Sequence, residues 1–435
     1  MSREPDGTAP IASREGAARG IVRSTFASLR IRNFRLFIIG QLVSGIGTWM
    51  QMVAAPWLVL QLTNSGVALG IDTALQYLPI LLLGAWGGVI ADRFDNRKLQ
   101  IATQIAYAAT SLVLWIIVAT GIVHVWMVYA LSFVSGMVTA VDMPTRQSFY
   151  LEMVGPEDLT NAMSLNTATF TGTRIVGAAL AGALIAVVGT APIFLVNAIT
   201  YLAVVVALLR MRVTELDRRE LASRARGQIR EGIRYAWDSE ELRLPLLLMA
   251  VVFVFSFNFS VLLPLFARNT FGGGSQTYGA MLSLWGVGSL VGALVLAGRS
   301  ARANAWRLSM LGLALGVLSV GVAVAPVVHV AMLLLPFLGA VGIAFAITGN
   351  STLQLRSAVS MRGRVMALYS VVFLGSTPIG GPLAGWVGQR LDARVGLAGG
   401  GAIAVVVAAW AAATLRAGRK GGEGADPVGG YSGHG

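Results

Sequence analysis

Few residues of this chain can do chemistry. Its 435 residues include 20 acids, three histidines and no cysteine. Without thiols there is no disulfide, thiolate metal ligand or cysteine nucleophile. The histidines, at 124, 329 and 434, are too dispersed for a metal pair. No Gly-rich loop followed by Lys cradles a phosphate, and no Gly-x-Ser-x-Gly elbow presents a serine. These features argue against ATP hydrolysis within the chain and against an enzyme, and no metal or organic cofactor is expected. What remains is Asp72, Asp142 and Arg174, together with the charged turn that runs from Gly88 through Asp92, Arg93, Asp95, Asn96 and Arg97 to Lys98. A carboxylate in apolar surroundings can carry a proton, and an arginine there needs a cavity or a counter-charge.

The elements that hold these charges are hydrophobic. The chain is 55% hydrophobic and 12% charged, whereas a globular protein carries about 25% charged residues. Mean hydropathy is +0.71, and apolar runs of about 20 residues, long enough to cross a bilayer, recur along nearly the whole length. The pattern predicts an all-α polytopic membrane protein with twelve spans, at about 34–62, 66–91, 98–121, 124–143, 159–187, 190–209, 244–267, 279–298, 306–325, 327–349, 363–388 and 397–415. They form two six-helix bundles, 34–210 and 244–416, joined by a polar linker at 211–243. In the linker, Ile229, Ile233 and Trp237 recur at every fourth position among Arg230, Glu231 and Arg234, which predicts a short amphipathic helix on the membrane surface. The ends, 1–33 and 417–435, read as disordered tails, and no cleavable signal segment stands out.

All but four of the 33 Lys and Arg fall on one side of this predicted topology; the exceptions are Arg268, Arg390 and Arg394 on the other side and Arg174 within a span. The positive-inside rule then places both termini in the cytoplasm of a multi-pass cell-membrane protein. The net charge of +13 is thereby a topology signal, with attraction to anionic lipid, and nucleic acid is not an expected partner. The expected partners are the bilayer and a small molecule, with the protein working as a monomer.

On this topology Arg174 lies about 15 residues into span 5, near mid-bilayer, where an arginine costs about 2.5–3.5 kcal/mol on insertion scales and should face a cavity or a partner. Asp72 is about six residues into span 2, roughly 9 Å along the helix, and is the leading candidate for proton coupling because competitors are so few. Asp142 sits at the cytoplasmic end of span 4. Asp92 stands at the C-terminus of span 2, where the helix dipole disfavours an anion, so it calls for a cation or the N-terminus of another helix.

The halves repeat. His124 and His329 open equivalent spans, and Gly177 and Gly182 recur as Gly380 and Gly385, each 203 residues on. Gly172, Gly177 and Gly182 space span 5 at five-residue intervals, and span 11 reads Pro378-Ile379-Gly380-Gly381-Pro382, so both are expected to be closely packed interface helices. Duplicated halves about an axis along the membrane normal are a transporter architecture.

The turn Gly88-Val89-Ile90-Ala91-Asp92-Arg93-Phe94-Asp95-Asn96-Arg97-Lys98, between spans 2 and 3 of twelve, resembles the signature of the major facilitator superfamily, with Asp95 where Gly is usual and Asn96 where Arg is usual. Asp142-Met143-Pro144-Thr145-Arg146-Gln147, Arg174-Ile175-Val176-Gly177 and Arg362-Gly363-Arg364-Val365-Met366 resemble its branch of siderophore and multidrug exporters. The resemblance implies that Gly88, Asp92, Arg93 and Arg97 form a conformational latch with Arg362 and Arg364 of the second half. It implies that spans 1, 4, 7 and 10 surround the substrate, with Gln41, Thr48, Trp49, Gln51 and Asn258 as candidate cavity residues beside interleaved phenylalanines. The function it implies is proton-gradient-driven export of a bulky, mostly hydrophobic molecule by alternating access. A lipid flippase or an importer of the same fold is the alternative, and a non-transporting sensor a remote one.

Overall fold

A computed structural model describes residues 27–217, 228–296, 303–358 and 361–423, and the regular structure in them is helical throughout. The first half contains α1 (Arg32–Thr63), α2 (Gly66–Arg93), α3 (Asn96–Ala119) and α6 (Ala191–Leu209). Between α3 and α6 a continuous stretch of 64 residues, Val125–Val188, is divided at Gly155, whose φ of 71° and ψ of 174° suit only glycine. The part before that kink is α4 and the part after it α5. A linker helix, α7 (Gln228–Asp238), leads to the second half: α8 (Glu240–Ser256), α9 (Phe259–Leu265), α10 (Ser275–Leu296), α11 (Ala305–Ala323), α12 (Val328–Arg356), α13 (Arg362–Arg390) and α14 (Ala393–Glu423). Eleven stretches are long and apolar enough to cross a membrane. Val125–Val188 would be about 96 Å long if straight, enough for two crossings, so the described residues make twelve. Helices are the natural answer to such a sequence, because in lipid each backbone N–H must find its partner within the segment.

The structure departs from the sequence expectations in three places. Residues 27–33, assigned to a disordered tail, are ordered: Ala27–Arg30 is a 3-10 turn, and the Ser28 amide and hydroxyl donate to Asn161 Oδ1 at 3.0 and 2.8 Å. At the other end α14 runs on to Glu423; the rest of both tails, 1–26 and 424–435, lies outside the described residues. Span 7 is not continuous. It breaks between α8 and α9 because Asn258 Nδ2 donates to the Val254 carbonyl at 2.6 Å, the acceptor that the Asn258 backbone N–H would use in an unbroken helix.

Paired close approaches display the duplication. Gly177 of α5 lies against α1, where an added Cβ would come within 2.7 Å of the Ile46 carbonyl oxygen and of Trp49 Cβ. Its counterpart Gly380 of α13 lies against α8, on the Val254 carbonyl and the Asn258 amide. Five residues further on, each helix touches the other half: Gly182 faces Gly279 and Ser275 of α10, and Gly385 faces Gly66 of α2. Five residues turn a helix by about 140°, so the repeated glycines of α5 serve different neighbours; Gly172 has open space around it.

Candidate functional site

Among the described residues the two halves part toward one end and meet closely at the other. There Ser65 Oγ and the Val67 amide donate to Gln389 Oε1 at 2.7 and 3.0 Å, Arg268 donates to the Leu60 carbonyl at 2.9 Å, and Ser275 Oγ donates to the Gly182 carbonyl at 3.2 Å. The α2–α13 seam holds from Gly66 past Gly70, which abuts Gly381 and Pro382, to Leu81, which abuts Gly375; at Gly84 nothing is near. The opposite end, which carries Arg93, Arg97, Lys98, Arg362 and Arg364, is called the basic end below.

Helix α5 shows where the opening begins. Met163, Thr167, Phe170, Arg174 and Ala181 lie in line on one face, between the neighbours α1 and α10. Ala181 is sealed at 0% exposure and Arg174 is at 7%, whereas Phe170 is 55% and Met163 36% exposed. The face passes from a closed end, through Arg174, into space that opens toward the basic end.

Arg174 sits at the bottom of that space between two indoles, one from each half. Its guanidinium carbon is 5.7 Å from the Trp49 ring centre on α1 and 4.8 Å from that of Trp285 on α10. Gly286 lies alongside it, where a Cβ would stand 3.5 Å from Arg174 Nε, an ordinary contact distance. Neither a carboxylate nor a hydrogen-bond acceptor meets Arg174 among the described residues, and its buried Nε is unpaired, as is the buried indole N–H of Trp285. A buried donor without an acceptor costs about 1–3 kcal/mol. From this pair an aromatic run extends in both directions. Phe170 packs edge-on to Trp49 at 5.3 Å, and Phe259 lies 5.4 Å from Trp285. Phe257, Phe253 and Phe373 follow at 6.0, 4.9 and 5.0 Å, and Tyr369 stacks on Phe373 at 5.9 Å. The break in span 7 lies within this run, at Phe257–Asn258, and an interrupted helix that lines a cavity is a common way to build a transporter binding site.

The polar side chains of the first half are instead spent on one another. Asp142, whose side chain is 2% exposed, pairs with Arg146 one turn along α4. Its Oδ1 also accepts from Gln100, Thr103 and Gln104 of α3 at 3.1, 2.8 and 3.2 Å. Arg146 in turn donates to Gln41 of α1 at 3.3 Å. Nearer the closed end, Gln51 Oε1 accepts from Ser111 of α3 and Asn197 of α6 at 2.8 and 2.7 Å, and Thr48 donates to Tyr201 of α6 at 3.1 Å. Thr48 and Gln51, read from sequence as cavity candidates, are therefore engaged inside the first bundle by buried polar partners, whereas Gln41 accepts from the half-buried Arg146 through Oε1 and its buried Nε2 has no partner among the described residues. Asn258 is likewise held in its own helix break, beside Gly380. Of the cavity candidates only Trp49 stands at the junction of the halves. Asp72 is buried and accepts from Ser132 of α4 at 2.6 Å, with no cation beside it among the described residues.

The charged turn is spread over several tasks. Asp95 caps α3, accepting from the Lys98 amide at 3.1 Å with an ordinary φ of −61°, so the usual glycine is not required here. Asn96 donates to Glu152 at 2.7 Å, and Arg97 donates to the Leu208 carbonyl at the end of α6 at 2.8 Å, within its own half. Asp92 and Arg93 are exposed, and Asp92 makes no hydrogen bond or ion pair among the described residues. Across the opening, Arg362 donates to the Gln354 carbonyl of its own half at 3.1 Å, and Arg364 Nη1 reaches Met361 Sδ at 3.0 Å. Among the described residues no hydrogen bond or ion pair joins Asp92 to Arg362 or Arg364 in this arrangement.

Sequence reading missed Trp285 and the α3 cluster. The first carries only a weak signal, a tryptophan beside Gly286 and Gly288 in mid-span. The second was detectable: Gln100, Thr103, Gln104 and Tyr107 recur at helical spacing on one face of an otherwise apolar span.

Comparisons with known proteins bear on this geometry. Residues 23–425 match the family described as Transmembrane secretion effector. Over 254 residues the chain is 28% identical to the staphyloferrin A transporter of Staphylococcus aureus, a match covering 58% of this chain and 63% of that protein, under two thirds of its length. Over 363 residues it is 27% identical to the multidrug efflux pump Tap of Mycolicibacterium fortuitum, covering 80% and 88%. In fold it resembles the nucleoside transporter NupG, with a TM-score of 0.72 at 11% identity over 88% of this chain and 99% of that one. It also resembles a bacterial homologue of the lysosomal transporter Spinster in an inward-facing, unoccupied conformation, with a TM-score of 0.69 at 13% identity over 88% and 95%.

Proposed function

The chain belongs to the transmembrane secretion effector family of major facilitator transporters, and on that premise we propose that it is a proton-driven exporter of a bulky, mostly hydrophobic small molecule. The basic end is cytoplasmic by the positive-inside rule, in the plasma membrane, with both termini inside. The arrangement described is then the inward-open one. The observation that carries this reading is the aromatic run from Tyr369 to Phe170, which joins both halves at the floor of a space sealed at one end and open at the other. A ligand enters from the cytoplasm and settles among the rings. Rocking of the halves opens the glycine-lined seam on the far side and brings Asp92 toward the Arg362–Arg364 end of α13.

Asp72 supplies the proton step. It lies on the α4 face of α2, buried against Ser132, while Gly70 and Thr73 of the same turn face Gly381 across the α2–α13 seam. Opening that seam changes its access to the outer solution, so it loads a proton outside and releases it inside as the ligand moves the other way. Export agrees with the relatives named for efflux. The test is uptake into inverted membrane vesicles from a panel of hydrophobic drugs and siderophores, with and without an imposed proton gradient. Accumulation of panel members that collapses with the gradient is expected; gradient-independent movement, or none, counts against the reading.

A further inference from the structure

We propose that Arg174 and Trp285 form an oxyanion anchor, so that the favoured ligands are bulky apolar molecules bearing one acidic group; this rests on the export reading above and narrows its substrate class. Two buried donors without an acceptor, Arg174 Nε–H and the Trp285 indole N–H, come from opposite halves and belong to side chains stacked on each other at the junction. Arginine and the indole nitrogen can only donate, so two waiting donors specify an acceptor, and the guanidinium charge specifies that it be anionic. The two terminal nitrogens of Arg174 are neither hydrogen-bonded nor among the buried unpaired atoms, so they face the open space. Among the described residues no carboxylate meets Arg174, and the two buried acids are engaged elsewhere, Asp72 by Ser132 between α2 and α4 and Asp142 by Arg146 and α3.

The flanking chemistry sets the rest of the ligand. Trp49, Phe170 and Phe259 surround the donors, so the body attached to the oxyanion is apolar or aromatic. A carboxylate that meets both donors touches the two halves at once, at the junction about which they rock. An acidic substrate and an anionic lipid headgroup share this chemistry, and the bilayer composition separates them.

The experiment uses the full chain purified into phosphatidylcholine nanodiscs, with 1-pyrenebutyrate and its neutral amide as probes and tryptophan-to-pyrene energy transfer as the readout, corrected with empty nanodiscs. Wild type is expected to bind the acid at least tenfold more tightly than the amide. Arg174→Gln is expected to bring acid affinity down to that of the amide, with a thermal midpoint matching wild type showing that the variant is folded. Arg174→Lys should keep part of the preference, and Trp285→Phe should lower acid affinity a few-fold. Equal binding of acid and amide by wild type, or an undiminished preference in Arg174→Gln, overturns the anchor and leaves the export reading standing. Failure of both probes to bind overturns the anchor together with the apolar site it rests on. Loss of acid binding when phosphatidylglycerol is added assigns the anchor to lipid and overturns the substrate claim.

Discussion

The two halves share a duplicated plan but fill their interiors differently. The first holds polar networks: Asp142 and Arg146 with Gln41 and the α3 amides, Gln51 with Ser111 and Asn197, and Asp72 with Ser132. Both halves hold rings, Phe37 with Phe149 and Tyr150 in the first and Phe253 with Phe257, Phe345 and Phe373 in the second, but among the described residues the second shows no comparable buried polar network. Pairs such as Gly177 and Gly380 keep the backbone approaches equivalent, so the divergence is one of side chains on a preserved frame. The first half thus holds the buried carboxylates and the second an aromatic cluster, of which Phe373, the exposed member, is the ring that meets a ligand on the reading proposed above. Arg174 is where the two meet, a cation of the first half seated on an indole of the second.

The comparison breaks most visibly at the buried ion pair. Arg146→Leu strands the Asp142 carboxylate among amides, and removal of one partner of a buried pair costs about 3–5 kcal/mol. A large fall in thermal midpoint is expected in detergent, with Asp142→Asn combined with Arg146→Leu recovering part of it. An unchanged midpoint would mean that the network is solvated rather than structural. Next in size, Gly385→Val overpacks the closed seam against Gly66. Overpacking costs about 1–3 kcal/mol, a shift of about 5- to 150-fold away from the inward-open state, read as reduced labelling of a cysteine placed at Phe170.

Asp72→Asn sharpens the division from the first-half side. Gradient-driven transport is expected to fall at least tenfold while ligand binding in nanodiscs holds; retained coupling would remove Asp72 from the mechanism. Phe373→Ala, from the second-half side, should weaken ligand binding several-fold without altering the response to the gradient. Asp92→Asn is expected to have the smallest effect, a few-fold gain in the inward-open population, because its carboxylate is exposed in this arrangement and contributes only when the basic end closes.

Much of the architecture was legible because it follows from hydropathy alone: the apolar runs, the basic clusters between them and the 203-residue echo of the glycines. The pairing of polar residues was not. Gln41, Thr48 and Gln51 looked like cavity residues because a polar group in a span must face something polar, and sequence cannot say whether that is a ligand or a neighbouring helix; here the partners lie on α3, α4 and α6. The break at Asn258 was hidden for a similar reason, since it depends on the side chain taking its own helix's carbonyl and on Gly380 making room. Arg174 was legible as an expensive charge in need of an environment, but its indole neighbours come from α1 and from α10, and only the folded halves bring these together.

The account rests on the two ends of the bundle exchanging accessibility. Because the chain has no native cysteine, spin labels can be placed in pairs at will: Phe94→Cys with Gly363→Cys across the basic end, and Leu62→Cys with Leu391→Cys across the closed end. Electron–electron distance distributions for both pairs, taken over a pH series with and without bound ligand, measure the exchange directly. The account predicts two populations whose distances move in opposition, the basic-end pair shortening as the other lengthens. Distances that move together, or that stay fixed at both ends under all conditions, would contradict it.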